Sequence, residues 1–383
     1  MSPVSKILFV DDEPRVLDGL RDSLRKNRKR WNMRFAVGGE AALAQLEAER
    51  FDVVVTDLRM AKVDGVALLR HLQESAPDTV RVVLTGDPGR DLALRFLPYA
   101  HQALTKPCRL GELEEVLTRA CRVREIVTDD GLRRFLGGVR ELPALPRTYQ
   151  KLVEMFEDES TGAAEVAAVV SEDIAVAAKI LKLANSAFFG LGREVRNVAD
   201  AVAVLGMEAV KSLTLSTAVF EGPGILPGRR HFAERLHEHS LVVARVAAEV
   251  APPRWRRDAF MAGLLHDVGL LVLGALSPVG EGPFEDTCTT RVSAELSVSH
   301  AHVGAYLLGI WGLPLPVIDA VSAHHGTPDE CPSEVAHAVM SAELASEMLG
   351  PTANDFETLR AEAWEVFRVL RTSPEPATME AGT

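Results

Sequence analysis

The sequence predicts two domains of different class: an α/β doubly wound parallel sheet over residues 1–121, then an all-helical domain over 140–350. Three observations predict this. Five short apolar runs alternate with helix-period segments in the first third of the chain, strand-like alternation then stops, and about ten helix-period segments follow beyond "LPALP".

Bulk properties narrow the class. A chain of 383 residues, 47% hydrophobic and 25% charged, is long enough for two or three globular domains. The net charge of -12 repels phosphate backbones and anionic lipid, so neither direct DNA binding nor membrane-surface binding is expected. The basic run Arg25 to Arg30 follows an amphipathic helix and reads as solvated cations near a helix C-terminus. Cys108, Cys121, Cys288 and Cys331 form no C-x-x-C pair and read as reduced thiols, which points to a cytoplasmic protein. Ala259 to Leu276 approaches transmembrane length, but His266 and Asp267 lie near its middle; it reads as a buried helix of a soluble protein.

In order, "KILFV" precedes a helix from Pro14, "MRFAV" one over Glu40 to Ala48, and "FDVVVT" one from about Val66. "VRVVLT" precedes a helix near Leu92, and "HQALT" one from about Leu110. Sites of such sheets lie at the carboxyl ends of the strands. There stand Asp11 and Asp12 after the first strand, Asp57 after the third, Thr85 after the fourth and Lys106 after the fifth. Converging carboxylates repel one another unless a hard cation joins them, and Mg²⁺ prefers oxygen ligands with water and phosphate. A carboxylate beside Mg²⁺ can attack phosphorus and form an acyl phosphate; Lys106 would balance phosphoryl charge and Thr85 would donate a hydrogen bond.

"VDDEP", "VVVTDLRM…DG", "VLTG" and "LTKP" resemble the receiver domain of two-component response regulators, flavodoxin-like in fold, over roughly residues 4–120. The resemblance implies that Asp57 accepts the phosphoryl group from a cognate sensor histidine kinase. It also implies that Asp11, Asp12, Asp57 and the backbone carbonyl of Arg59 hold Mg²⁺, and that Thr85 and Lys106 are the switch threonine and the lysine. Ala103 stands where many receivers carry an aromatic switch residue, so output is expected to depend on Thr85 and on a homodimer face of the receiver. A helical linker, residues 122–139, is expected to continue the last receiver helix and to end at Gly137-Gly138.

Beyond it, helices are predicted over Thr148–Phe156, Ala163–Val170, Ile174–Leu183, Val198–Leu205, Glu208–Val219, Phe232–Ala251 and Asp258–Leu273. Others are predicted over Ala294–Leu308, Pro316–Ala323 and Val335–Met348. Histidines concentrate in the second half of this domain. Imidazole and carboxylate together suit Fe, Mn, Co, Ni or Zn. His231, His237, His302 and His337 read instead as core or surface residues.

"LKLANSAFFG", "AVAVLGMEAVKSLTLS", "AGLLHDVGLLVLG", "SHAHVGAYLLGIWGLP" and "AVSAHH" resemble the HD-related output domain, HDOD, a cousin of the HD-type metal phosphohydrolases, over roughly Leu142 to Leu349. By that resemblance His239, His266, Asp267, His300, His324 and His325 match metal-site positions, with Fe, Mn or Zn as the metals implied. Leu270 replaces the lysine usual three residues after the Asp, and "GTPDECP" replaces a Gly-Tyr-Pro element. Glu343 is the nearest candidate for the last metal carboxylate. "NSAFFG" reads as a helix-end turn anchored by Phe188 and Phe189.

A C-terminal helix is predicted over 351–372 and a disordered tail over 373–383. The expected function is a bacterial response regulator in which phosphorylation of Asp57 switches the interactions of a non-enzymatic HDOD module with a downstream protein. The alternative is a phosphorylation-controlled metal phosphohydrolase, or a cyclic-dinucleotide phosphodiesterase or sensor, in the HD pocket.

Overall fold

The computed structural model describes residues 5–86, 96, 99–127, 147–156, 161–171, 176–177, 180, 197–221, 230–276, 299–327, 333–349 and 356–372. The chain divides into two compact units, Met1–Glu141 with Tyr306–Leu313, and Leu142–Ala305 with Pro314–Thr383.

The first unit is the predicted parallel sheet. Strands β1 (Ser5–Asp11), β2 (Trp31–Val37), β3 (Val53–Thr56), β4 (Val80–Thr85) and β5 (Gln102–Thr105) stand in the order β2-β1-β3-β4-β5, every pair parallel. Helices α1 (Pro14–Ser23), α2 (Gly38–Ala48), α3 (Gly65–Ser75) and α4 (Leu110–Ile126) flank it. Because successive side chains of a strand point to opposite faces, β1 feeds two cores. Ile7 and Phe9 pack with Leu17, Val55, Val82 and Leu117 on one side, while Leu8 and Val10 pack with Val54, Leu68 and Leu72 on the other. Each such fully buried side chain contributes about 1.5–3 kcal/mol. Pro14 opens α1, where its missing N–H costs nothing, and the Asp64 side chain caps α3 by accepting from the Ala67 N–H at 2.7 Å.

Boundaries moved slightly. α2 begins at Gly38 rather than Glu40, and α4 ends at Ile126, where Val127 leaves helical geometry at φ -98°, ψ 88°. The helix expected near Leu92 and the linker beyond Val127 lie outside the described residues.

The second unit is helical, with no strand among its described residues. It comprises α5 (Arg147–Phe156), α6 (Ala163–Ser171), α7 (Val198–Leu205), α8 (Met207–Glu221), α9 (Arg230–Val250) and α10 (Arg256–Leu265). Then come α11 (Val268–Leu276), α12 (His300–Ile310), α13 (Leu315–Ala323), α14 (Glu334–Leu349) and α15 (Phe356–Thr372). The expected helix Ile174–Leu183, the "NSAFFG" turn and the tail 373–383 fall outside the described residues, apart from Val176, Ala177 and Ile180.

One expectation is corrected. Asp258–Leu273 is not one helix: α10 stops at Leu265 and α11 starts at Val268, with His266 and Asp267 forming a turn between them. The His266 Nδ1–H donates to the carbonyl of Gly263 at 2.7 Å, filling an acceptor that the helix end leaves open. The apolar periodicity runs unbroken through this point, which is why the break was not legible. No described helix is long and apolar enough to cross a membrane.

Candidate functional sites in each unit

Strand register assembles the first site. Val10 pairs with Thr56 and the Asp57 N–H donates to the Val10 carbonyl at 2.9 Å, so Asp57 stands beside Asp11. Thr85 pairs with Thr105 and the Lys106 N–H donates to the Thr85 carbonyl at 2.6 Å, which brings Lys106 to the same edge. One carboxylate oxygen from each of Asp11, Asp12 and Asp57 lies within 4.8 Å of the others. Lys106 Nζ lies 2.6 Å from Asp11 Oδ2 and 3.2 Å from Asp57 Oδ2. Burial works against the Lys106 cation, but the two carboxylates outweigh it and raise its pKa.

Backbone groups hold the carboxylates in place. Asp11 Oδ1 accepts from the Glu13 N–H at 2.9 Å, Asp57 Oδ1 from Leu58 at 2.7 Å and Asp12 Oδ2 from Ala61 at 3.3 Å. Gly65 has to be small: a Cβ there would sit 2.1 Å from the Asp57 carbonyl oxygen. Thr85 is buried, the Lys106-Pro107 bond is cis, and Ala103 is a small exposed residue.

The second site is built around the α10–α11 break. His239 projects from α9, His300 opens α12, His324 and His325 follow the last turn of α13, and Glu343 lies on α14. Two glycines of the "GLLHDVG" stretch let neighbouring helices close on this break. A Cβ on Gly263 would lie 2.7 Å from the Cα of Ala244 on α9, and one on Gly269 would lie 2.0 Å from the His300 carbonyl oxygen.

Asp267 is the hub. Its Oδ2 lies 3.3 Å from His266 Nε2 and 4.0 Å from His239 Nε2, while Oδ1 lies 3.2 Å from His300 Nε2 and 3.6 Å from His324 Nε2. Glu343 Oε2 lies 3.0 Å from His239 Nε2 and 3.3 Å from His266 Nε2. The ligand-type atoms fall into two groups that share Asp267: His239 and His266 on one side, His300, His324 and His325 on the other. All six predicted residues are thus brought together, and Glu343, flagged only as the nearest carboxylate, joins them.

The floor is buried. His266, Asp267, His300, His324 and Glu343 are buried, yet His266 Nε2 and Asp267 Oδ1 have no aligned hydrogen bond despite their close neighbours. The His324 Nδ1–H donates to the Val321 carbonyl at 2.7 Å, as His266 does to Gly263, so each ring turns Nε2 toward the hub. His300 Nε2 lies 3.2 Å from His324 Nε2 as well as from Asp267 Oδ1. One ring proton has to serve two acceptors there, where a cation would serve all three.

Electrostatics follow from this packing. Burial disfavours the charged forms of all these groups, but mutual attraction keeps Asp267 and Glu343 well below the usual carboxylate range and His266 well above the usual imidazole range. Burial pushes His324 down, and burial with the neighbouring His324 and His300 pushes His325 down to about 4. Neutral imidazoles of this kind keep a lone pair for a cation.

The histidines read as structural behave differently. His237 is buried, 2.7 Å from the hydroxyl of Ser216, and His302 is exposed. The side chain of His231 lies outside the described residues.

Comparison with known proteins agrees with both units. The response regulator receiver domain model matches residues 7–118 and the HDOD domain model matches residues 142–327. An uncharacterized protein of Treponema pallidum (strain Nichols) is 25% identical over 220 residues, 54% of this chain and 42% of that protein. Response regulator protein PilR of Pseudomonas aeruginosa is 32% identical over 150 residues, 38% of this chain and 33% of PilR, so the chain spans less than half the length of either relative. The crystal structure of a signal receiver domain of an HD domain-containing protein from Pseudomonas fluorescens Pf-5 matches with 27% identity and a TM-score of 0.31, covering 32% of this chain and 98% of that one. With its five-stranded unit carrying the acidic edge and its helical unit carrying the His-Asp pair, the chain joins a response regulator receiver domain to an HDOD domain.

Proposed function

We propose that a sensor histidine kinase phosphorylates Asp57 and that the phosphorylated receiver changes the interactions of the HDOD unit with a downstream protein. The observation that carries this reading is the Lys106 ammonium held between Asp11 and Asp57 at a three-carboxylate edge. The donor set fits Mg²⁺, with Asp11, Asp12, Asp57 and the Arg59 carbonyl as the groups that would hold it. The ion would neutralise phosphoryl charge as it develops.

Asp57 supplies the nucleophile: a carboxylate oxygen forms a bond to phosphorus as the bond from phosphorus to the donor imidazole breaks, and the leaving imidazole takes up a proton. Lys106 then gains a phosphoryl oxygen as a partner, and the buried Thr85 hydroxyl is available to donate to the same group. The test is labelling with acetyl phosphate. Wild type should take up one phosphoryl group and Asp57→Asn none; undiminished labelling of the variant would sink the proposal.

A second reading concerns the helical unit. The convergence of four imidazoles and His239 on the Asp267 carboxylate favours a metal-binding HD pocket, with Fe, Mn or Zn as the ions that mixed imidazole and carboxylate donors suit. His239, His266, Asp267 and Glu343 would hold one ion, and Asp267, His300, His324 and His325 another. Such an ion supplies Lewis acidity. The side chain three residues after Asp267 is the buried, apolar Leu270, which can offer no charge to a phosphoester, so the pocket reads as a binding site rather than a hydrolytic one. Metal analysis of protein purified without a metal-affinity tag tests this: stoichiometric metal that is lost in His266→Ala/Asp267→Ala supports it, and no metal in either protein overturns it.

A further inference from the structure

We propose that Lys62 is a positioning residue of the phosphoryl-accepting edge: its left-handed backbone turns the loop after Asp57 so that Ala61 holds Asp12 in place for Mg²⁺. The proposal rests on Asp57 as phosphoacceptor and on Mg²⁺ at the three-carboxylate edge. Among the described residues, Lys62 is the one non-glycine with a positive φ, at 66°. The Val63 N–H donates to the Ala61 carbonyl at 2.8 Å, which makes Lys62 the centre of a γ-turn of the rare, positive-φ form. A residue with a Cβ is strained in this conformation and persists there only where its surroundings over-determine it. The strain sits in the loop between Asp57 and α3.

Three contacts hold the loop in this shape. The Gly65 N–H donates to the Leu58 carbonyl at 3.0 Å and closes its base. Gly39, at the start of α2, leaves room for Val63: a Cβ there would lie 2.5 Å from the Val63 carbonyl oxygen. The Ala61 N–H donates to Asp12 Oδ2 at 3.3 Å, and through this bond the turn acts on the site. Asp11 has the Glu13 N–H and Lys106, and Asp57 has the Leu58 N–H and Lys106. Ala61, by contrast, is the sole hydrogen-bond donor to the Asp12 side chain among the described residues. Asp12 is thus the carboxylate of the three whose place depends on the loop. The Lys62 ammonium contributes little: it meets Glu40 Oε2 at 2.6 Å, but the two side chains are 71% and 60% exposed, and exposed pairs are weak. What matters at position 62 is the backbone, since a turn relaxed to negative φ redirects the chain and with it the Ala61 N–H.

The test separates backbone from charge. Lys62→Gly keeps the turn, because glycine adopts positive φ freely, while Lys62→Val opposes it, because a β-branched side chain does not. Glu40→Gln removes the ion pair and leaves the backbone alone. Mg²⁺ is titrated by calorimetry into the full chain freed of divalent metal, and the Mg²⁺ dependence of labelling by acetyl phosphate is measured alongside, with circular dichroism to check the fold. Lys62→Val should bind Mg²⁺ about 3- to 10-fold more weakly, the scale of one lost hydrogen bond. It should need correspondingly more Mg²⁺ for half-maximal labelling, yet reach the wild-type rate at saturation. Lys62→Gly and Glu40→Gln should match wild type. A merely destabilised fold would lower the labelled fraction and leave the half-saturating Mg²⁺ where it was. Should Lys62→Val not fold, Lys62→Thr, β-branched but polar, makes the same backbone test. Wild-type Mg²⁺ affinity in the β-branched variant, or a loss in Lys62→Gly as large as in Lys62→Val, would overturn the role of Lys62 while leaving the phosphoacceptor standing. No labelling of wild type would overturn the Asp57 reading itself, and this proposal with it.

Discussion

Lys106 balances two carboxylates in the receiver, and its ammonium is the part of that edge that a point substitution can remove cleanly. Lys106→Met keeps the length of the side chain and deletes its charge, leaving Asp11 and Asp57 to repel each other and the incoming phosphoryl group. Labelling by acetyl phosphate should slow by about 10- to 100-fold, the scale of losing one preorganised electrostatic donor. A second residue-scale prediction concerns His101. Its Nδ1 accepts from the Arg81 N–H at 3.1 Å, and its Nε2 lies 2.8 Å from the Arg81 guanidinium. Burial first, and Arg81 second, hold the His101 pKa well below 6.5. The folded state thus refuses a proton that the unfolded chain accepts, so stability is intact above pH about 6.5 and falls as the pH drops below it. Chemical denaturation at pH 7 and pH 5 should show a larger loss for wild type than for His101→Gln; equal losses would count against this role.

At the scale of elements, the HD pocket depends on how closely α9, α11 and α12 approach. Gly269→Ala would drive a methyl into the carbonyl of His300, 2.0 Å away, so α12 has to move and carry His300 with it. Overpacking of this kind costs about 1–3 kcal/mol, and metal retention should fall along with stability. Gly19, inside α1 with nothing within 4 Å of its would-be Cβ, supplies the contrast. Gly19→Ala should stabilise the receiver by about 0.5–1 kcal/mol, because an unstrained helical site gains from the stiffer residue. Thermal denaturation of the two variants should move in opposite directions. The same elements show where sequence reading stops. The short continuous apolar run of β1 revealed a strand buried on both faces, whereas the apolar run through Asp258–Leu273 concealed the break at His266, since a turn satisfied by its own histidine leaves the hydrophobic spacing intact.

For the molecule as a whole, each of the two units carries a cation-seeking site made of residues far apart in the chain: Asp11 with Lys106, and His239 with Glu343. A ligand that binds only the folded state stabilises by mass action, by about 2.7 kcal/mol at a hundredfold excess over its dissociation constant. Adding Mn²⁺ to metal-free protein should therefore raise the unfolding transition of the helical unit, and His266→Ala/Asp267→Ala should abolish that shift while leaving the receiver transition in place. Differential scanning calorimetry separates the two; an equal shift in the double variant would place the metal elsewhere.

Sequence alone determined the class of both units, the order of most helices and the identity of the charged residues at the strand ends, because strand and helix periods and strand-end position are local properties of the chain. The six His and Asp residues of the pocket were legible only through resemblance, as their separations from residue 239 to 325 follow no helical period. Tertiary structure decided that Glu343 faces His239 and His266 and that Gly263 and Gly269 set the helix approach. These are facts about which faces of distant helices meet, and packing rather than local propensity chooses them.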